Sequence, residues 1–219
     1  MKLTLFDLDH TLLAGDSDVL WCDFLIAQGI LGPDFAERNA DIEARYKDGS
    51  VDPVVFAQFY VSTLAGRTAR QWESLRQAFF LEAIVPRVPE AARALVRSHQ
   101  DAGDLVVMTT ATNRFITELT AAYFAIDHLI ATEPEYRDGM FSGATTGVLN
   151  MRAGKVTRLR AWLAARGNSL SQFVSTGYSD SINDLPLLEA VDVPVVVNAD
   201  ARLAALAAER GWKALSLTL

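Results

Sequence analysis

The chain has 219 residues and a formal net charge of −7, because 20 lysines and arginines face 27 aspartates and glutamates. This length suits one large domain, or a core with a smaller partner, and the hydrophobic share of 50% excludes wholesale disorder. The acidic balance disfavours a nucleic-acid scaffold, and no apolar run approaches the roughly 18 residues that a membrane helix needs. We therefore expect neither nucleic acid nor membrane as a partner.

The cysteine count and the first residues bear on the compartment. Cys22 is the only cysteine, which excludes an intramolecular disulfide and a cysteine-based zinc site. Asp7 and Asp9 interrupt the first apolar run, which argues against a secretory signal. We expect a soluble, cytoplasmic protein.

Short, nearly continuous apolar runs predict strands that are buried on both faces, as in a parallel sheet. The first such run opens the chain and the others come after residue 100. The predicted strands are 3–9, 104–110, 128–131, 173–177 and 193–197. A Gly-containing segment at 138–143 predicts a β-hairpin after the third strand.

Helical patterns alternate with the later strands, at 89–100, 113–124, 155–166 and 200–210. Gly167 and Gly211 are stop signals for the last two. Strands that alternate with helices predict an α/β fold with a doubly wound parallel sheet.

Residues 18–85 break this rhythm, because they carry helical patterns and no strand pattern. We predict four helices there, the last of them launched by a capping box from Thr68 to Gln71. Aromatic residues at helical spacing predict a local core. The predicted domains are therefore a core formed by 1–17 and 86–219, and an all-helical cap formed by 18–85.

Asp7 and Asp9 stand two residues apart at the end of the first predicted strand, the edge where ligands bind in such sheets. Two neighbouring carboxylates repel each other and need a cation or a shared proton. Capping of a turn would also explain an isolated Asp-x-Asp. Thr11 and Leu12 do not fit a calcium-binding EF-hand loop, so a Mg²⁺ site stays open.

Two further places indicate an anion site. Thr110 ends the second strand directly before a helix, where a hydroxyl and backbone N–H groups can hold an anion, although Asn113 could cap that helix alone. Lys155 stands in a first helical turn after Gly154, where the helix dipole slightly disfavours a cation. That position indicates a carboxylate or phosphate partner, unless the lysine is simply solvated.

The fourth strand is followed by more acids at the same edge. Asp180 and Asp184 lie four residues apart around a turn that enters a helix, with Asn183 between them. Capping explains one of these acids, but it does not explain four acids that converge on one edge of the sheet.

Taken together, the motifs resemble those of the haloacid dehalogenase superfamily of phosphohydrolases, over the whole chain. Residues 7–11 match the first motif, Thr110 the second, Lys155 the third, and Asp180 with Asp184 the fourth. The helical segment after the first strand is similar to the cap of the phosphoserine-phosphatase-like branch, which includes histidinol-phosphate phosphatases, and Asn183 also matches that branch. The resemblance implies a Rossmann-like core with an inserted cap.

The resemblance also implies a reaction and its residues. Asp7 is expected to be the nucleophile that forms an aspartyl-phosphate, and Asp9 the general acid and then the general base. Mg²⁺ is expected on Asp7, Asp180 and the backbone carbonyl of Asp9. Supporting residues are expected around this centre: Thr110, Lys155 and Asn183 on the phosphate or substrate, Asp184 on Lys155 or a metal-bound water, and Thr11 within the first motif.

Asp16 lies nine positions after Asp7, where the phosphoserine-phosphatase pattern has an acid that faces the substrate ammonium. We expect Asp16 to select an amine-bearing phosphate ester, to cap the first cap helix, or both. The usual Ser-Gly-Gly second motif is replaced by residues 110–112, Thr-Ala-Thr, which favours an amino-alcohol phosphate such as histidinol phosphate over phosphoserine.

Two alternatives remain at this point. A phosphotransferase or phosphomutase on the same scaffold would pass the phosphoryl group to an alcohol instead of water. A phospho-accepting signalling module would place its acceptor on a middle strand of a shorter chain without a cap, whereas here the Asp pair opens the chain. The partner is therefore expected to be a small phosphate ester, and the chain a monomer or a homodimer.

Overall fold

The computed structural model describes residues 1–219, apart from the side chain of Lys47. Over this described chain the strands form one seven-stranded sheet in the order β4-β3-β2-β1-β5-β6-β7. Every neighbouring pair is parallel except β3 and β4, which are antiparallel. The strands are β1 (Lys2–Phe6), β2 (Leu105–Asn113), β3 (His128–Arg137), β4 (Met140–Thr146), β5 (Val174–Ser179), β6 (Val193–Val197) and β7 (Lys213–Leu215).

Helices connect the strands and fill the segment between β1 and β2. The α-helices are α1 (Ser17–Ala27), α2 (Asp34–Asp48), α3 (Pro53–Ser62), α4 (Ala69–Phe79), α5 (Glu90–Asp101), α6 (Arg114–Tyr123), α7 (Ala153–Ala164), α8 (Leu185–Ala190) and α9 (Ala201–Arg210). A π-helical turn (Phe80–Ile84) and a 3-10 turn (Val85–Arg87) follow α4. The predicted α/β fold with a doubly wound sheet is confirmed.

The position of β1 decides where the site lies. β1 pairs with β2 on one side and β5 on the other, and the order of the remaining strands runs outward in both directions. This reversal is a topological switch point, and ligands of such sheets bind outside the carboxyl ends of the strands at that point. Leu3 and Leu5 of β1 face one buried cluster and Phe6 faces another, so the strand is covered on both faces.

Several boundaries differ from the sequence-based prediction. β1 ends at Phe6 and not at residue 9, because the amides of Leu12 and Leu13 turn back to the carbonyl of Leu8. β3 extends to Arg137, because it gains an antiparallel partner in β4 on the far side of the predicted hairpin. β7 carries little apolar pattern and was not expected from the sequence; it pairs with β6 at the edge of the sheet.

The segment between β1 and β2 is helical, as its pattern predicts, and the capping box of Thr68 and Gln71 is present. Trp21 lies within 5.6 Å of Trp72 and 5.1 Å of Phe79 (ring centroids), and its indole N–H donates to Thr63 Oγ1 at 3.0 Å. These rings belong to the same buried cluster as Phe6 on β1. The first and last helices of the segment thus share their apolar core with the sheet.

None of the described helices combines the length and the apolarity that a membrane crossing requires.

Candidate active site

A cleft of about 680 Å³ opens at the carboxyl ends of β1 and β5. Residues from both ends of the chain and from the helical segment line it. They are Asp7, Asp9, His10, Ala14, Asp16, Tyr46, Phe56, Ala111, Thr112, Lys155, Asp180, Ser181, Asn183, Asp184, Asn198, Asp200 and 217–219. The fold therefore brings the acids of the first and fourth motifs to one cavity.

Asp7 follows β1 directly, and its amide donates to the carbonyl of Tyr178 on β5, which extends the pairing of the two strands by one residue. Its side chain is buried, and burial raises its pKa to about 7 against the attraction of Lys155. Nearby Asp184 and Asp9 raise the pKa further by repulsion. The carboxylate of Asp7 thus needs compensating positive charge to ionise fully.

Lys155 supplies part of that charge from the first turn of α7. Its Nζ lies 2.7 Å from Asp7 Oδ1 and 2.5 Å from Asp184 Oδ2, and its side chain is 2% exposed. Burial lowers its pKa, but the two carboxylates outweigh burial and raise the pKa above its usual value. Ser179 Oγ donates to Asp184 Oδ2 at 2.7 Å. A doubly paired ammonium in this position stays charged and nearly immobile.

Three hydrogen-bond donors hold the side chain of Asp9. The amide of Ser17 donates to Oδ1 at 2.7 Å, while the hydroxyls of Thr112 and Thr110 lie 2.9 Å and 3.3 Å from Oδ2. Ser17 Oγ in turn donates to Thr112 Oγ1 at 3.1 Å. The start of α1 and the end of β2 therefore fix the orientation of this carboxyl group at the wall of the cleft.

Thr110 is fully buried and does not line the cleft, in contrast to the two residues after it. Its hydroxyl faces Asp9 and accepts the amide of Thr112 at 3.2 Å. Its backbone carbonyl accepts Asn150 Nδ2 at 2.9 Å. The structure brings Thr110 to Asp9, and presents Ala111 and Thr112 to the cavity.

Asp180 follows β5 and meets Asp7 through Thr11. Thr11 Oγ1 lies 3.1 Å from Asp7 Oδ2 and 3.3 Å from Asp180 Oδ1, so the hydroxyl bonds one carboxylate at a time. Burial raises the pKa of Asp180 well above its usual value, and the charges of Asp7 and Asp184 add to the rise. One buried and one half-buried carboxylate facing the same hydroxyl form a set of oxygens that a cation would stabilise.

The carboxylate oxygens of Asp7 and Asp180 match the usual way in which proteins coordinate Mg²⁺. Mg²⁺ is bound through one or two carboxylates and keeps several waters, so it needs no complete cage of side chains. In the described residues, no group of three or more His, Cys, Asp or Glu side chains forms such a cage. Asp7 and Asp180 are the carboxylates available, while the side chain of Asp9 is engaged by Ser17, Thr110 and Thr112.

Asp16 performs the predicted capping and also lines the cleft. Its Oδ1 accepts the amides of Asp18 at 2.9 Å and Val19 at 3.1 Å at the start of α1. Burial raises the pKa of Asp16 to about 7, and the charge of Asp9 adds to the rise. Asp18, in the first turn of the helix, is buried with an Oδ1 that has no partner.

The structure adds residues that the sequence did not single out for the site. Tyr46 of α2 and Phe56 of α3 line the cleft, and their rings stack at 4.1 Å between centroids. Phe56 could be read from sequence only as part of the local core. Asn183, which the sequence did single out, lies on the 3-10 turn 182–184 and also lines the cleft.

The last residues of the chain form a second unexpected wall. Asn198, at a positive φ of 48°, donates to the carbonyls of His10 at 3.3 Å and Leu217 at 2.9 Å, and accepts the amide of Leu217 at 2.9 Å. This side chain ties the segment 217–219 to the loop after β1. No local sequence signal indicates that the two segments meet.

The family follows from comparison with known proteins. A family model described as haloacid dehalogenase-like hydrolase matches residues 4–189, most of the chain. The chain belongs to the haloacid dehalogenase-like hydrolases. Asp7, Asp9, Thr110, Lys155 and Asp180 all lie within the matched region.

Relatives of this haloacid dehalogenase-like hydrolase include a histidinol-phosphatase from Neisseria meningitidis serogroup C (strain 8013), 40% identical over 220 residues and 98% of both chains. A solved structure of a Bordetella pertussis Tohama I protein of unknown function has a TM-score of 0.94 at 43% identity, covering 99% of this chain and 98% of that one. A substrate-bound phosphoserine phosphatase has a TM-score of 0.71 at 16% identity, covering 99% and 93%, which shows a shared fold. The protein is a phosphatase of this family.

Proposed function

We propose that the protein is a Mg²⁺-dependent phosphatase that hydrolyses a small, amine-bearing phosphomonoester through an aspartyl-phosphate on Asp7. The observation that carries the proposal is the pairing of Asp7 with Lys155 at 2.7 Å on one oxygen, while its other oxygen faces Thr11 and Asp180. A carboxylate so placed is oriented by fixed partners at the floor of an open cleft. This is the arrangement that a carboxylate nucleophile requires.

In the first step, an oxygen of Asp7 attacks phosphorus and the bond from phosphorus to the ester oxygen breaks. Asp9 gives its proton to that oxygen, so the alcohol leaves neutral. In the second step, Asp9 takes a proton from a water molecule as that water attacks phosphorus. Phosphate departs and the carboxylate of Asp7 is restored. The three donors on Asp9 keep its carboxyl group in one orientation for both transfers.

Positive charge has to balance the phosphate and the acids of the cleft. Lys155 provides one fixed charge beside Asp7, and Asp184 holds it there. Mg²⁺ on Asp7, Asp180 and the carbonyl of Asp9 would supply electrostatic stabilisation of the negative charge on the phosphoryl oxygens. In this proposal the hydroxyl of Thr110 orients the side chain of Asp9. The backbone of residues 111–112, which line the cleft, contacts the phosphoryl group instead.

The substrate class is inferred from Asp16 and from a relative. Asp16 places a carboxylate in the cleft on the side of the helical segment, where it can bind an ammonium group. The Neisseria meningitidis relative is named a histidinol-phosphatase, and histidinol phosphate carries such a group. We therefore propose histidinol phosphate as the first substrate to test, with phosphoserine as the second.

The test is Mg²⁺-dependent phosphate release from a panel of amine-bearing and sugar phosphates. Asp7→Asn is expected to lower kcat/KM by about 10³-fold or more, because it removes the nucleophile. Asp127→Asn changes the same charge at an exposed position and is the matched control. Near-normal turnover by Asp7→Asn, or full activity after removal of divalent metal by a chelator, would contradict the proposal.

Product analysis separates hydrolysis from transfer. With a second alcohol present, a hydrolase releases inorganic phosphate, whereas a phosphotransferase or phosphomutase forms a new ester. Trapping of phosphate on the protein without release would indicate a phospho-accepting module instead.

A further inference from the structure

We propose that Tyr46 and Phe56 form an aromatic wall of the cleft that selects an ester whose alcohol carries a flat ring next to its amine. The inference deepens the proposed function and depends on it for the location of the phosphate. It names the part of the substrate that lies away from the phosphoryl group, beside the helical segment.

Two helices between β1 and β2 supply the aromatic wall. Tyr46 lies in the last turn of α2 and Phe56 in the first turn of α3, and their rings stack at 4.1 Å with an interplanar angle of 25°. Phe56 is 3% exposed and packs edge-on against Tyr60 at 4.9 Å, which fixes its orientation. A pair of stacked rings held from behind presents a rigid aromatic edge to the cleft.

Tyr46 lines the same cleft as Asp7, Asp16 and Asp184. Burial raises the pKa of its phenol, and the charges of Asp184, Asp7 and Asp16 contribute to the shift, with Lys155 opposing them. Because Asp7, Asp16 and Tyr46 line the same cleft, a leaving alcohol that reaches from Asp7 to Asp16 shares that cleft with the ring of Tyr46.

The acidic residues of the cleft disfavour a substrate that carries a carboxylate. Asp9 and Asp16 line it together with Asp180, Asp184 and Asp200, whereas Lys155 is the one lysine or arginine that lines it among the side chains that the structure describes. Lys155 already pairs with Asp7 and Asp184. An amino acid phosphate would bring a second anion into this acidic cleft, at an electrostatic cost. An amine joined to a flat, neutral or cationic ring avoids that repulsion, and a cationic ring is also attracted to an aromatic face.

The alternative is that the two aromatics only stabilise the helical segment. Phe56 belongs to the buried cluster that also contains Ile42 and Tyr60, so its removal would disturb that segment. Tyr46 lies at the border of this cluster, and its substitution is the cleaner probe. The same helices offer a matched position in Phe59, which stacks on Phe35 at 4.9 Å and does not line the cleft.

The experiment compares two esters that share an amine and differ in the ring, histidinol phosphate and phosphoethanolamine. Tyr46→Leu is expected to lower the ratio of their kcat/KM values about 3- to 10-fold, the range expected for one aromatic contact. Tyr46→Phe keeps the ring and should restore the ratio. Phe59→Leu should leave the ratio as in the wild type.

A binding measurement keeps the inference separate from the proposed function. Titration calorimetry compares histidinol with ethanolamine, the two alcohol products. We expect tighter binding of histidinol by the wild type and loss of that preference in Tyr46→Leu. If no ester is hydrolysed but this preference is seen, the proposed function is wrong, and the role of the aromatic wall in binding the ring is still supported.

Three results would contradict the proposal that the aromatic wall selects a ring. The first is an unchanged substrate ratio in Tyr46→Leu together with an unchanged product preference. The second is a wild-type protein that treats the two esters alike. The third is a wild-type preference for phosphoserine over histidinol phosphate, because phosphoserine carries the carboxylate that the acidic residues of the cleft disfavour.

Discussion

At the scale of single residues, the site depends on the balance of charge around Lys155. One buried ammonium lies between two buried carboxylates, and a third, Asp180, lies one hydroxyl away from Asp7. Removing one member of a buried ion pair leaves an uncompensated charge, which costs more than the pair contributes. Lys155 is thus a candidate for binding the phosphate, and its charge also stabilises the folded arrangement of Asp7 and Asp184.

Lys155→Met is expected to lower the free energy of unfolding by about 3–5 kcal/mol, because Asp7 and Asp184 lose their counter-charge. The double variant with Asp184→Asn should recover part of this loss, since one of the two stranded carboxylates is gone. Urea denaturation of the wild type, both single variants and the double variant measures the coupling. A double variant that is less stable than Lys155→Met would contradict the charge argument.

The raised pKa of Asp16 predicts a pH dependence. Its value of about 7 means that Asp16 is neutral below that pH and ionised above it, so it can hold an ammonium group only on the alkaline side. The kcat/KM for phosphoethanolamine, divided by that for the phosphate of ethylene glycol, should therefore rise between about pH 6 and pH 8. Taking the ratio removes pH effects that the two esters share, such as ionisation of the phosphate group.

Asp16→Asn is the control for this pH profile. The amide cannot ionise, so the ratio should be low and flat over the same pH range. A wild-type ratio that is also flat would show that Asp16 serves as a helix cap and does not bind the amine.

At the scale of elements, the start of α7 decides where Lys155 points. Asn150 donates from Nδ2 to the carbonyls of Thr110 and Ile130, both at 2.9 Å, and so fastens the preceding loop to β2 and β3. Arg152 then adopts a positive φ of 50°. A Cβ on Gly154 would lie 2.1 Å from the carbonyl oxygen of Leu149, so only glycine fits without displacing the backbone.

Gly154→Ala is therefore expected to shift the first turn of α7 and with it the ammonium of Lys155. We expect a loss of about 1–3 kcal/mol in the free energy of unfolding and a clear loss of kcat. Thr157→Ala, at an exposed position of the same helix, should stay within about 0.5 kcal/mol of the wild type. Wild-type stability and turnover in Gly154→Ala would show that the loop has room to move.

At the scale of the whole molecule, the helical segment and the sheet share one apolar cluster. Trp21 and Phe24 of α1, Trp72 and Phe79 of α4, and Phe6 of β1 belong to it. Such sharing couples the stability of the two parts. Tyr46 and Phe56 lie on α2 and α3, outside this cluster, so the cleft-facing half of the segment rests on a separate, smaller core.

We therefore predict that the protein unfolds in one transition and that Trp21→Ala destabilises both parts. The expected cost is about 3–5 kcal/mol, because Trp21 is completely buried and its indole is bonded to Thr63. Circular dichroism of the helices and tryptophan fluorescence in urea should give coincident curves. Two separated transitions, or a cost below about 1 kcal/mol, would show that the helical segment folds independently.

The sequence by itself determined the kinds of elements and the edge at which the acids meet. Buried strands, helix caps and stop glycines are local signals, and parallel strands bring their carboxyl ends together whatever their order. This is why Asp7, Asp9 and Asp180 could be placed at one edge before the fold was known, and why the family could be named from its motifs.

Only the tertiary structure decided which partners these residues have. The hydroxyl of Thr110 bonds Asp9 and does not line the cleft, whereas Tyr46, Phe56 and residues 217–219 line it together with the acids. These contacts join segments far apart in the chain, and they depend on the packing of α2 and α3 and on the pairing of β7 with β6. The rotamer of a side chain and the neighbour that it meets are set by that non-local packing, which the periodicity of a sequence does not encode.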